Sequence, residues 1–210
     1  MKEARSETRF VEAGLEIKGW VLPGVNEGRP PRCPGCGVAS RVPGARLGLQ
    51  GHGVRRRQVR GPAEPDGPPQ ISTVVLRRYR CMSCNAVVMV GPRGLLRRYL
   101  YSAPAIGWAL ALYGLARRTA AQVRQRVSAW SVVGDAAAGR WATLRRWIKA
   151  VAQRRLLSGL RRTRSDARPR QVAEAAATTL AGWARGADRS TPPDHRAWQG
   201  AAQLARAIAM

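Results

Sequence analysis

Acidic residues are what this chain has least of relative to need: 12 Asp and Glu stand against 37 Lys and Arg, a formal net charge of +25 over 210 residues. None lies between Asp66 and Asp135, and the next after Asp135 is Asp166. A solvated face ordinarily interleaves both signs, so this distribution argues against an ordinary mixed surface and for a polyanionic partner. Lysine is scarce too, with only Lys2, Lys18 and Lys149, so the charge is nearly all arginine. Arginine is the better fork for phosphate oxygens and guanine edges. A GC-rich genome explains arginine over lysine but not the shortage of acids. No apolar run approaches the ~20 residues a membrane helix needs. The best candidate, residues 103–116, contains Pro104, is flanked by arginines, and suits a buried helix. An anionic membrane surface is the runner-up partner; a membrane span is not expected. No glycine-rich phosphate loop with its lysine is present.

Cysteine occurs four times, all in two pairs, Cys33-Pro34-Gly35-Cys36 and Cys81-Met82-Ser83-Cys84. Four thiolates in two close pairs form the tetrahedral ligand set of one structural zinc, with no position left open for chemistry. Gly37 and Asn85 follow the pairs and tolerate the positive φ of a tight metal knuckle. Pro34 stiffens the first knuckle, and Arg32 and Arg80 are placed to offset the tetrathiolate charge. Two disulfides are disfavoured because no secretory signal is apparent. A thioredoxin-like redox site would need a strand–motif–helix setting. Iron in place of zinc stays open.

The expected fold class is α+β: a small zinc-ribbon β module, a mostly helical helix-turn-helix-like region, and a C-terminal helical hairpin. Residues 1–31 read as an exposed lead-in with short strands at 10–15 and 20–22. Residues 32–92 read as the metal module, with a Gly/Pro-rich insertion around 61–69 and strands at 71–80 and 86–90. Residues 100–153 then take a helical period. Pro104 suits the first turn of a helix with Ile106, Leu110 and Tyr113 on its apolar face. Thr119-Ala120-Ala121-Gln122 is a capping box for a second helix ending near Val127. Asp135 is expected to cap a third helix through about Gln153. At 100° per residue Trp141, Leu144, Ile148 and Val151 form its buried stripe. The opposite face holds Ala142, Thr143, Arg146 and Lys149, with Arg145 at its edge, a small basic front of the kind that enters a major groove. Residues 154–210 carry a basic linker and two Ala-rich helices, 170–185 and 195–209, the second capped by Asp194.

The run Arg77-Arg78-Tyr79-Arg80-Cys81, with Cys84, Val90-Gly91-Pro92-Arg93-Gly94 and Tyr101-Ser102-Ala103-Pro104-Ala105-Ile106, resembles the front ends of bacterial insertion-sequence transposases and their standalone companion proteins. In these a cysteine zinc ribbon feeds a helix-turn-helix. The stretch 140–147 looks like the tryptophan-bearing third helix of that unit. The resemblance covers about residues 30–152. It implies a sequence-directed DNA-binding role in a mobile element, in the cytoplasm and associated with the nucleoid. The catalytic half of such a transposase needs three carboxylates on an RNase-H-like sheet holding two metal ions. Asp166, Glu174, Asp188 and Asp194 have no strand context, so the chain is expected not to be an enzyme.

On this reading Arg77, Arg78, Arg97 and Arg98, with arginines of 154–164, neutralise phosphates, while Thr143, Arg145, Arg146 and Lys149 face base edges. Partner candidates are double-stranded DNA, a separate transposase chain and a second copy of this chain. A zinc-ribbon interaction adaptor or transcriptional regulator, and an RNA-binding zinc-ribbon protein, are the alternatives. His52 and His195 read as surface residues. Trp141, Trp147, Trp183 and Trp198 read chiefly as core, with Trp130 as the one placed for stacking or backbone contact.

Overall fold

The computed structural model describes residues 8–134, 141–188 and 190–208. The chain is α+β and its described residues form two compact units, one from residues within 8–58 and 73–93, the other from 59–72 and 94–208.

The first unit is organised by a mixed sheet of β1 (Thr8–Glu16), β2 (Leu49–Gly61), β3 (Gln70–Cys81) and β4 (Val87–Arg93), in the order β1-β4-β3-β2. β3 and β4 pair antiparallel, with Arg77 opposite Val90 and Arg80 opposite Val87. β1 joins β4 in parallel, Thr8 opposite Val87 and Glu12 opposite Gly91. The lead-in is therefore not the exposed segment its composition suggests. Its 10–15 stretch lies within a strand, whereas 20–22 does not form one. The segment after β1 is tied to β3 by side chains. Trp20 Nε1 donates to the Val75 carbonyl at 2.8 Å, the Tyr79 hydroxyl to Val25 O at 2.8 Å, and Arg77 from Nε and Nη2 to Pro23 O at 3.1 and 2.7 Å.

The core of this unit is small: Leu49, Tyr79, Ala86, Val88 and Val90 close around Cys33 and Cys81, with Val11 and Val38 packed against them. So small a cluster buries little apolar surface, and an ion held by the four cysteines would add folding free energy.

The second unit is helical: α1 (Ala103–Gly114), α2 (Ala120–Val127), α3 (Ala142–Ala152), α4 (Pro169–Trp183) and α5 (Pro193–Ile208). Ser102 caps α1 by accepting the Ala105 amide at 3.2 Å, and Pro104 sits in the first turn. Ile106 and Leu110 are fully buried as the apolar period predicts, while Tyr113 is half-buried beneath the Arg170 guanidinium, 4.3 Å from the ring centroid. Burial is not confined to one face, because α1 is central and packs against the other four helices among the described residues. Its small residues permit this: a Cβ at Gly107 would lie 2.6 Å from Ala201 Cβ on α5.

The capping box of α2 is complete, with Gln122 N donating to Thr119 Oγ1 at 3.2 Å and Thr119 N to Gln122 Oε1 at 2.9 Å. The third helix departs from expectation. Asp135 lies outside the described residues, and Trp141 has extended backbone (φ −82°, ψ 101°), so α3 starts at Ala142 rather than running unbroken from 135. Packing supplies the reason. Trp141, Trp147 and Tyr101 form an edge-to-face cluster with centroid separations of 4.9–6.1 Å, and an extended residue 141 directs its indole into that cluster.

Leu144, Ile148 and Val151 are buried with Trp141 as the stripe predicts, joined by Trp147 and Ala150. The C-terminal helices close onto α1 and share its core through Val172, Ala176, Leu180 and Leu204. Asp194 is not the N-cap of α5 but lies in its first turn, where Oδ2 accepts Trp108 Nε1 at 3.3 Å. The Gly/Pro-rich insertion belongs to this unit and not to the metal module. Asp66 anchors it, accepting Arg126 Nη1 at 2.7 Å while its other oxygen lies 2.7 Å from His195 Nε2.

Candidate metal centre and cationic surfaces

The two cysteine pairs come together by a repeated local device. In the first, Gly37 N donates to Cys33 O at 2.9 Å and Cys33 N to Val38 O at 2.9 Å. In the second, Asn85 N donates to Cys81 O at 3.0 Å and Cys81 N to Ala86 O at 2.9 Å. Gly37 and Asn85 are left-handed, at φ 75° and 58°. Each knuckle is braced by the arginine before it: Arg32 Nη1 donates to Gly37 O at 3.3 Å, and Arg80 Nη2 to Asn85 Oδ1 at 3.2 Å. β3 delivers Cys81 as its last residue, and Met82 N donates to Gly48 O at 2.9 Å, which fixes the second knuckle to the chain entering β2.

All four Sγ atoms lie within 4.8 Å of one another. Cys33 and Cys84 are 3.8 Å apart and Cys36 and Cys81 3.6 Å apart. A tetrahedral ion with metal–sulfur bonds of about 2.3 Å holds its sulfurs about 3.8 Å apart. The four residues can therefore hold one metal ion with little rearrangement. Cys33 and Cys81 are buried, Cys36 and Cys84 exposed.

Proton affinities in the cluster diverge. Burial raises the Cys81 thiol, but the backbone N–H groups of Cys84 and Ser83 and the adjoining thiols outweigh it and bring Cys81 down to about 7. Cys84 accepts from the Ala86 backbone, which favours its thiolate, yet burial and three neighbouring thiols hold it up at about 12. Cys36 is raised as well, the Val38 backbone acting against burial and the Cys81 thiol. Cys81 ionises readily while Cys36 and Cys84 resist, until a cation neutralises the cluster.

The basic residues singled out in the sequence divide between the units. On α3, Arg145, Arg146 and Lys149 are exposed and Thr143 is half-exposed, opposite the buried stripe. Arg146 Nη2 donates to Thr143 Oγ1 at 3.3 Å. Arg97 and Arg98 are exposed in the turn before α1, Arg98 at φ 70°. Arg77 and Arg78, in the unit that holds the four cysteines, are only half-exposed, and Arg77 is committed to the Pro23 carbonyl. That double bond makes it a structural tie rather than an open phosphate contact. In the linker, Arg154, Arg155, Arg161 and Arg162 are exposed, while Arg164 pairs with Asp166 at 3.1 Å.

Sequence reasoning overlooked Arg55-Arg56-Arg57, which lie mid-strand in β2. Three successive arginines in a run free of acids from Glu27 to Glu64 were the available signal. Trp130 is 56% exposed, and the Arg60 guanidinium stands 5.7 Å from its ring centroid.

Fold and site define an α+β protein with a four-cysteine cluster that could hold one metal ion, and among the described residues no helix is long and apolar enough to cross a membrane. No protein-family model, curated protein or solved structure matches the chain.

Proposed function

We propose that this chain is a non-catalytic, zinc-organised DNA-binding protein of a bacterial mobile element. The observation that carries the reading is the charge imbalance: 37 basic side chains against 12 acids, a formal net charge of +25. Several are displayed on an ordered helix face whose other side is anchored in the tryptophan cluster. The likeness of its cysteine and arginine motifs to insertion-sequence proteins supports the biological setting, with strand cleavage assigned to a separate chain. Zinc is the proposed ion, since four thiolates at tetrahedral spacing suit it and leave no open coordination position. Within α3 the helix-turn-helix reading gives Thr143, Arg145, Arg146 and Lys149 the base edges. Arginines outside it take phosphates.

The direct test is binding of the metal-loaded protein to mixed-sequence duplex over a range of salt, followed by selection from a random pool. Affinity that falls steeply with salt and an enriched motif are expected. No retention on duplex in dilute buffer overturns the proposal.

A second reading, a protein-interaction adaptor, is favoured by one feature. Trp130, Val132 and Val133 form an exposed apolar stretch, with Val133 84% exposed. Salt-resistant capture of a transposase chain without any preferred duplex would select it.

A further inference from the structure

The strand order leaves β2 at one edge of the sheet and β1 at the other, and the two edges differ in chemistry. β1 carries Glu12 and Glu16, whereas β2, β3 and β4 contain no acidic residue at all. β2 is exposed along nearly all of its middle, with Arg55 and Arg56 exposed and Arg57 half-buried. An edge strand presents one row of backbone groups outward and alternates its side chains between two faces. Consecutive arginines there stand on both sides of the same rim. Gly51 and Gly53 precede them on the same exposed stretch. Burial chiefly, and the neighbouring Arg55 charge after it, lower the proton affinity of Arg57.

We propose that the β2 rim of the metal-binding unit, centred on Arg55, Arg56 and Arg57, is a second duplex-DNA contact that grips the phosphate backbone without reading sequence. It rests on the DNA-binding reading above and extends it: the cysteine-clamped module contributes affinity directly. The metal's part is architectural. It fixes the knuckle that ends β3 and is hydrogen-bonded to Gly48, the residue before β2. Guanidiniums on both sides of a rim match phosphates on the two walls of a groove, and an extended ribbon has the dimensions to lie along one. Charged side chains on an edge strand also serve to block sheet-to-sheet association. That role alone requires no DNA contribution from them, so the two are separable by measurement.

The test compares the full-length, metal-loaded protein with R55Q/R56Q/R57Q on a random-sequence duplex across a salt series. Each lost phosphate contact lowers the slope of log affinity against log salt by about 0.9. The slope should fall by roughly 2–3, and affinity near 0.1 M salt by about 10–100-fold. Metal stoichiometry and circular dichroism should be unchanged. R55Q/R56Q, which alters only exposed positions, should lower the slope by about 2 and serves if the triple variant loses metal. An unchanged slope in a variant that retains its metal overturns this inference alone. So does self-association of the variant with DNA affinity intact, which would assign the arginines to edge protection. A parent protein that does not bind duplex overturns the broader reading together with it.

Discussion

Gly200 on α5 packs so closely against the Leu180 carbonyl oxygen on α4 that no Cβ fits between the two backbones. Gly114, at the end of α1, abuts the backbone of Glu174 in the same way. These contacts set how near the C-terminal helices approach each other and the central helix. Gly200→Ala should destabilise the helical unit by about 1–3 kcal/mol, the usual range for overpacking. Thermal unfolding followed at 222 nm is the measurement. Metal content should be untouched, because all four cysteines belong to the other unit. A melting temperature equal to the parent's would show that the interface yields.

Removing the metal should act in the opposite place. Cys81→Ser or a strong chelator should abolish the one-per-chain metal stoichiometry and unfold the sheet unit, while most helical signal remains. Metal analysis with circular dichroism separates the two. Retention of one ion by Cys81→Ser would contradict the four-sulfur site.

Acidification should release the ion, and the direction follows from the thiols. Cys84 at about 12 and Cys36 above its ordinary value hold their protons in the metal-free cluster, so loading must displace them. Protons and metal compete, and affinity rises with pH and falls as pH drops. Cys81, brought to about 7, is the thiol that surrenders its proton first. Competition with a chromophoric chelator between pH 6 and 8 reads this directly. A pH-independent constant would be inconsistent with thiolate ligation.

Arginines with different roles should fail differently. Arg146→Ala should relax sequence preference, losing about 1–3 kcal/mol at the preferred site and less elsewhere. Arg97→Ala should weaken every duplex alike and reduce the salt slope by about 0.9. Equal losses at preferred and random sites for Arg146→Ala would remove α3 from the base-reading role.

The Asp66 bridge to Arg126 and His195 is half-exposed, so its contribution is small. Asp66→Ala should lower stability by no more than about 1 kcal/mol. Its clearer effect should be faster proteolytic cleavage within 62–69, which then has lost its anchor to the helical unit. A cleavage rate identical to the parent's would show that other contacts hold the loop.

Local chemistry made several features legible before any coordinates. Residues within a few positions of one another decide a Cys-x-x-Cys knuckle, the left-handed residue after it, the Thr119–Gln122 box and the buried stripe of α3. Such short-range determinants survive intact in the fold. Arg77 shows the limit: its sequence context is that of an open cation, yet a carbonyl 54 residues away takes its guanidinium. Trp141 shows another, since helical periodicity placed it on the stripe but only the aromatic cluster required its backbone to be extended.

By itself the sequence determined the two cysteine knuckles, the cationic excess and the helix-forming stretches, because each depends on residue type and near-neighbour spacing. Only the tertiary structure decided that the lead-in becomes an edge strand, that the Gly/Pro segment joins the helices, and that an arginine triplet lies on the edge strand β2. Those outcomes depend on pairing between segments far apart in the chain. Many such pairings are compatible with the same local preferences, and burial of the shared core selects one of them.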